Sequence, residues 1–212
     1  MTAVAYRAVL FDLGGVVVGS PLHAIARYER EEEIAPGFIN RVVVESGPTG
    51  AWSRLERGEL TLEEFYPAFE RDCEAAGRRI SARALMGLVA TVTAPRPAML
   101  AAIARIRARG LAAGAITNNW IAEEAGTDVL RPHFDVVVES AVVGVRKPDP
   151  RIFWMACEAL GIDPPAAVFL DDIGSNLKAA RALGMTTIKV VDPDAALVEL
   201  EGVLGFALRG DG

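Results

Sequence analysis

Along the chain, apolar and polar positions alternate in two different ways. Four apolar runs have strand length and end at polar residues: Ala8–Phe11 before Asp12, Leu111–Ile116 before Thr117, Ala166–Leu170 before Asp171, and Thr186–Val191 before Asp192. A fifth, Phe134–Val138, ends at Glu139. Their hydrophobicity is largely continuous, which predicts strands covered on both faces, as in a parallel sheet. Helical spacing fills the gaps between them. Pro97 suits a first helical position, and Met99, Leu100, Ile103 and Ile106 follow to a stop at Gly110. Asp149–Leu160 closes at Gly161 and Ser175–Leu183 closes at Gly184. Strand alternating with helix predicts an α/β fold with right-handed crossovers, whose ligands sit beyond the carboxyl ends of the strands.

Residues 19–95 have a different texture, a succession of helices with no strand. Thr61 and Glu64 form a capping box before Leu62, Phe65 and Phe69, and Ser81 is placed to cap a further helix. Gly47-Pro48 and Gly58 separate other helical pieces. The predicted organisation is an α/β core of residues 1–18 and 96–212, interrupted by a helical segment at 19–95 that overhangs the strand ends as a lid. There is no internal repeat or low-complexity stretch.

Composition narrows the function classes. The 212 residues are 51% hydrophobic and 24% charged, ordinary for a globular chain with a sizeable core. A net charge of −6 with scattered Lys and Arg argues against a nucleic-acid partner, while a pocket for a small anion remains open. Cys73 and Cys157 are too few for a disulfide framework or zinc site and read as reduced core thiols on helices. No apolar run reaches the ~20 residues of a membrane span, and the chain enters its first strand without a leader pattern. The expectation is a soluble cytoplasmic protein.

The strand ends carry the chemistry. Asp12 is followed by Leu13-Gly14-Gly15, so its backbone is open to a ligand. It can serve as metal ligand or covalent nucleophile, although Asp-x-Gly is also ordinary turn chemistry. Asp171 and Asp172 are adjacent carboxylates that repel and call for a hard cation, magnesium being suited to a phosphate site; the alternative is a solvated helix-capping pair. Lys147, held before Pro148 on a loop leading into a helix, can present its ammonium to a phosphate or to Asp12. Thr117 and Asn118 can offer a hydroxyl and a backbone N–H to phosphoryl oxygens.

In this order, Asp12, Thr117, Lys147-Pro148 and Asp171-Asp172 resemble the four motifs of the haloacid dehalogenase (HAD) superfamily, mostly phosphatases. The resemblance covers essentially the whole chain. A closer similarity is to the N-terminal phosphatase domain of soluble epoxide hydrolases and its bacterial relatives. It is carried by Ile116-Thr117-Asn118-Asn119-Trp120, Val143-Gly144 and the stretch from Val168 to Lys178. Gly47-Pro48, Arg54-Leu55 and Gly58 to Leu62 add to it. The resemblance implies a Rossmann-like parallel-sheet core with an inserted helical cap. It implies Asp12 as nucleophile and magnesium ligand, with the Gly14 carbonyl and the Asp172 carboxylate completing the protein's share of the metal. Asp171 and Asn176 would stand behind these ligands or act through water. Thr117, Asn118 and Lys147 would hold the phosphoryl group, Lys147 also restraining Asp12. The implied partner is a small phosphorylated metabolite, with no nucleic acid or membrane and with room for a homodimer.

One position departs from that pattern. Phosphatases of the superfamily carry a second Asp two residues after the nucleophile as general acid and base, and here it is Gly14. Loss of such a group is worth about 10²–10⁴-fold in rate. Another group or water substitutes, the substrate has a good leaving group, or the protein is a weak or non-catalytic phosphate binder. The superfamily's 2-haloacid dehalogenases also lack that Asp, but they do not need the acidic pair, so retained Asp171-Asp172 favours the phosphatase. His23 and His133 are candidate substitute acids, with surface or hinge positions as the plainer reading. Trp120 can line the pocket or join a core, and Arg54, Glu59 and Tyr66 can contact substrate.

Overall fold

The computed structural model describes residues 5–121 and 127–209. Five parallel strands, β1 (Ala8–Phe11), β2 (Ala112–Thr117), β3 (Val136–Glu139), β4 (Ala167–Asp171) and β5 (Thr186–Lys189), form one sheet in the order β3-β2-β1-β4-β5. The continuous apolar runs follow from two covered faces. Val9, Phe11, Val168 and Leu170 point into one hydrophobic cluster, while Leu10, Ala167 and Phe169 point into the other. Helices α6 (Pro97–Ala108) and α11 (Pro193–Leu204) contribute to the first cluster. Helices α9 (Pro150–Leu160) and α10 (Gly174–Ala182) contribute to the second. Short helices α7 (Thr127–Leu130) and α8 (Ser140–Val143) flank β3.

Most strand limits differ by a residue or two from the apolar runs. Thr117, Glu139 and Asp171 pair as the last residues of β2, β3 and β4, so polar residues belong to the ladder itself. The sheet takes up Phe134–Val138 only from Val136, and Thr186–Val191 only as far as Lys189. Apolar side chains beyond the ladder at both places, Phe134 and Val190, pack into the core without strand pairing.

Between β1 and α6 lie five helices: α1 (Pro21–Glu31), α2 (Phe38–Ser46), α3 (Ala51–Glu56), α4 (Leu62–Ala75) and α5 (Ala82–Ala90). They share a hydrophobic cluster of their own, in which Trp52, Phe65 and Phe69 meet with ring centroids 5.2–5.7 Å apart. The expected capping box opens α4, with Glu64 N–H donating to Thr61 Oγ1 at 3.3 Å and Thr61 N–H to Glu64 Oε2 at 2.9 Å. Ser81 caps α5 through the Ala84 N–H. The chain enters and leaves this segment side by side: Val18 and Pro95 form an antiparallel bridge, and Arg96 N–H donates to the Val17 carbonyl at 2.8 Å. Among the described residues no helix is long and apolar enough to cross a membrane.

Candidate active site

All five strands run the same way, so their carboxyl ends share one edge, and the expected residues gather there. Asp12 directly follows β1; its N–H donates to the Leu170 carbonyl at 2.8 Å and its Oδ1 accepts the Leu13 N–H at 2.7 Å. The turn Leu13–Val17 closes with Val18 N–H donating to the Leu13 carbonyl at 2.9 Å. Within it Gly15 has φ +79°, and a Cβ there would fall 2.2 Å from Asp172 Oδ2. Only glycine allows this turn to lie against the acidic pair.

Lys147 is fully buried and its ammonium is surrounded by acceptors: Asp12 Oδ1 at 2.8 Å, Asp171 Oδ2 at 2.9 Å and the Ile116 carbonyl at 2.8 Å. Its three N–H donors therefore match three protein acceptors, and contact with a phosphoryl oxygen requires one of them to be shared. Asp171 is equally enclosed, accepting from Lys147, from the Ile173 N–H at 2.7 Å and from Asn176 Nδ2 at 3.0 and 3.2 Å. Asp172 is half-buried and accepts from Ser20 Oγ at 3.3 Å. Thr117 is buried at the end of β2. Asn118 spends its side chain on Lys147, with Oδ1 accepting the Lys147 N–H at 2.8 Å and Nδ2 donating to the Lys147 carbonyl at 3.0 Å. Only its backbone is left for a ligand.

The electrostatics are those of a site short of positive charge. Burial pushes the Asp12 carboxyl up to about 8; Lys147 pulls it back, while Asp171 and Asp172 push further up. Burial and Asp171 likewise raise Asp172. Burial works against the Lys147 charge, but Asp12 and Asp171 together hold the ammonium above the ordinary lysine range. Carboxylate oxygens of Asp12, Asp171 and Asp172 all lie within 4.8 Å of one another. Such a set of hard oxygen donors around an unsatisfied negative potential fits a magnesium ion.

The remaining candidates are placed less centrally. His23 is exposed in the first turn of α1. His133 precedes β3 and so lies toward the amino edge of the sheet, away from the strand ends. Trp120 packs against the cluster of the helical segment. Arg54 and Arg57 pair with Glu59 at 3.6 and 2.6 Å, and Arg83 lies over the Tyr66 ring at 4.4 Å, so these side chains are engaged with one another. Cys73 and Cys157 are free and buried on α4 and α9, and burial pushes their thiols up to about 12 and 11.

The profile of haloacid dehalogenase-like hydrolases matches residues 6–184. The chain belongs to this family. It is 43% identical over 210 residues to acyl-CoA dehydrogenase family member 10 of Mus musculus, covering 97% of this chain and 20% of that protein. Against bifunctional epoxide hydrolase 2 of Sus scrofa it is 37% identical over 220 residues, covering 96% and 40% respectively. The chain thus spans less than half the length of these two relatives. A glyceraldehyde 3-phosphate phosphatase of Methanopyrus kandleri is 27% identical over 202 residues, with coverage of 87% and 83%. The fold matches that of a HAD family enzyme from Bacteroides thetaiotaomicron crystallised with magnesium and inorganic phosphate. The TM-score is 0.59, at 20% identity and coverage of 87% and 94%.

Two features of this HAD member were not singled out in its sequence. A Cβ on Gly14 would meet Pro21 Cδ at 3.1 Å and Cγ at 3.2 Å, so the proline ring crowds the space of the absent acid. Glu56 on α3 is buried beside the site, accepting from Trp52 Nε1 at 3.0 Å and pairing with Arg146 Nε at 2.5 Å. Burial raises its carboxyl, and Arg146 opposes the rise. The i,i+4 spacing of Trp52 and Glu56 was the only local signal that both share one helix face.

Proposed function

We propose that this HAD-family hydrolase is a magnesium-dependent phosphatase that cleaves a small phosphate monoester through a phosphoryl group carried on Asp12. One observation carries the reading: the Asp12 carboxyl is held 2.8 Å from the buried Lys147 ammonium and beside two further carboxylates. A solvated turn aspartate needs no such surroundings. The similarity to proteins named as phosphatases supports the same class.

In this reading Asp12, Asp172 and the Gly14 carbonyl hold magnesium, backed by Asp171 and Asn176. Bound magnesium would supply positive charge to the phosphoryl oxygens and offset the charge of the neighbouring carboxylates. An Asp12 oxygen attacks phosphorus, the bond to the leaving oxygen breaks, and an aspartyl-phosphate forms. Lys147 and a bound cation together would offset the burial that raises the Asp12 carboxyl, Lys147 also aiming it, while the Thr117 hydroxyl and the Asn118 N–H donate to phosphoryl oxygens. Gly14 has no proton to give, so the leaving oxygen takes its proton from water. A second water then attacks the phosphorus of the aspartyl-phosphate, giving its proton to the hydroxide left in the first step; the P–O bond to Asp12 breaks, phosphate departs, and the Asp12 carboxylate is regenerated. Residues 19–95 act as the cap that keeps bulk water from the strand ends. The substrate is a small phosphorylated metabolite rather than nucleic acid or membrane, with a homodimer compatible. Free buried thiols suit a reducing compartment, and the reading assigns the enzyme to the cytoplasm.

Incubation with magnesium and a panel of phosphate esters, beside 2-haloacids, tests the proposal. Phosphate release that is abolished in Asp12→Asn is the expected result. Halide release without metal would make the protein a dehalogenase, and phosphate binding without turnover would make it a non-catalytic binder. Either result overturns the proposal.

A further inference from the structure

Helix α3 is where the helical segment touches the phosphoryl side of the sheet edge. Its turn at Gly58, with φ +70°, seats so closely that a Cβ would lie 2.3 Å from the Ala141 carbonyl on α8. Ser53 accepts from Arg146 Nη1 at 3.1 Å. Glu56 reaches furthest. Its Oε2 lies 2.5 Å from Arg146 Nε, an ion pair whose N–H is not aligned for a hydrogen bond, and accepts a longer contact of 3.4 Å from Asn118 Nδ2. Asn118 in turn clamps both polar groups of the Lys147 main chain, and Lys147 aims its ammonium at Asp12. The loop that holds Asn118 continues into Trp120, which packs with the segment's own cluster.

We propose that Glu56 is a positioning residue: from the inserted helices it fixes Asn118 and Arg146, and through them the Lys147 backbone that orients the ammonium against Asp12. The inference rests on the reading of Asp12 as nucleophile. Stability alone does not explain a buried glutamate here. A buried ion pair gains little over a well-packed apolar residue of the same volume, and a leucine or methionine would fill the space beside Trp52 and Leu55. What an apolar side chain cannot do is hold a guanidinium and an amide at fixed distances on either side of the lysine.

The test compares Glu56→Ala and Glu56→Gln with Glu74→Ala, whose ion pair with Arg79 is exposed on the same segment. Glutamine keeps the volume and an acceptor for Trp52, so it serves if the alanine variant fails to fold. Steady-state kinetics with magnesium and an aryl phosphate are measured together with hydrogen exchange of the Lys147 amide. The expected result is a kcat lower by up to about a hundredfold in the Glu56 variants, with KM little changed. Lys147 exchange should be faster by about tenfold or more, while Leu10 and Phe11 in β1 stay protected. Glu74→Ala should match the wild type. A loss of kcat no larger than the unfolded fraction explains, with exchange faster throughout, overturns the proposal. So does a folded Glu56→Gln with unchanged kcat and unchanged Lys147 exchange. If the wild type turns over no phosphate ester, the phosphatase reading has failed, and the Lys147 exchange result alone decides whether Glu56 positions that lysine.

Discussion

Pro21, the first residue of α1, sits against the side-chain position of Gly14, with its Cδ 3.1 Å from where a Cβ would stand. The missing acid is therefore not an open vacancy that one substitution refills. Gly14→Asp alone should overpack this contact and destabilise the fold by about 1–3 kcal/mol, with little gain in turnover. Adding Pro21→Ala removes the ring and should recover stability, and with it turnover of alkyl phosphates by about 10²-fold or more. Thermal melts and alkyl phosphate hydrolysis of both variants check this, and equal stability of the two would count against the packing account.

The Lys147 ammonium is the cation of a triad with Asp12 and Asp171, all three buried. Lys147→Met leaves two carboxylates buried without their partner. We expect a loss of about 3–5 kcal/mol in denaturant unfolding at neutral pH. Asp12→Asn in the same chain should return part of it, because the two sites interact and their effects are not additive. Additive losses would mean the ammonium does not stabilise the Asp12 charge.

Magnesium should raise the melting temperature if the Asp12 and Asp172 carboxylates hold it. At a hundred times its dissociation constant a bound ligand adds about 2.7 kcal/mol. Asp172→Asn should remove most of that response. Gly15→Ala should weaken it as well, since its Cβ would strike Asp172 Oδ2 at 2.2 Å. Melting curves across a magnesium titration, with sodium at matched ionic strength, separate site binding from screening.

Glu201 ties the end of the chain back onto α11, accepting from the Arg209 side chain and from the Arg209 and Leu208 N–H groups. These donors hold its carboxyl down to about 2 from an ordinary 4.5. A carboxyl lowered on folding stabilises fully above pH 4.5, and its contribution is lost as pH falls toward about 2. The melting-temperature gap between wild type and Glu201→Gln should thus be constant from pH 7 to 5 and shrink below. A gap that widens on acidification would contradict this bonding.

Much of the sheet edge was legible because each strand end coincided with a change from apolar to polar residues. Asp12, Thr117, Lys147 and Asp171-Asp172 stood at such changes, and the fold brings them to one edge. Strand limits were less legible, because ladder pairing continues onto polar residues such as Glu139 and stops before apolar ones such as Val190. Glu56, Ser20 and Pro21 were not legible at all. Glu56 and Ser20 reach partners far along the chain, Arg146 and Asp172, which no local periodicity records, and the contact of Pro21 with Gly14 depends on how the turn between them folds. Asn118 was half legible: its place beside Thr117 was evident, but the commitment of its side chain to Lys147 depends on tertiary structure.

The bridge between Val18 and Pro95 brings the two ends of the helical segment together, with Arg96 donating to the carbonyls of Val17 and Val18. The chain therefore enters and leaves the insertion through one doorway, and loop-closure cost rises only slowly with what lies beyond it. Helices grafted at this doorway can change in number and length without altering strand register. If Asp12 acts as proposed, the same edge can then be given a different roof, and with it a different choice of substrate, by exchanging one contiguous stretch of chain.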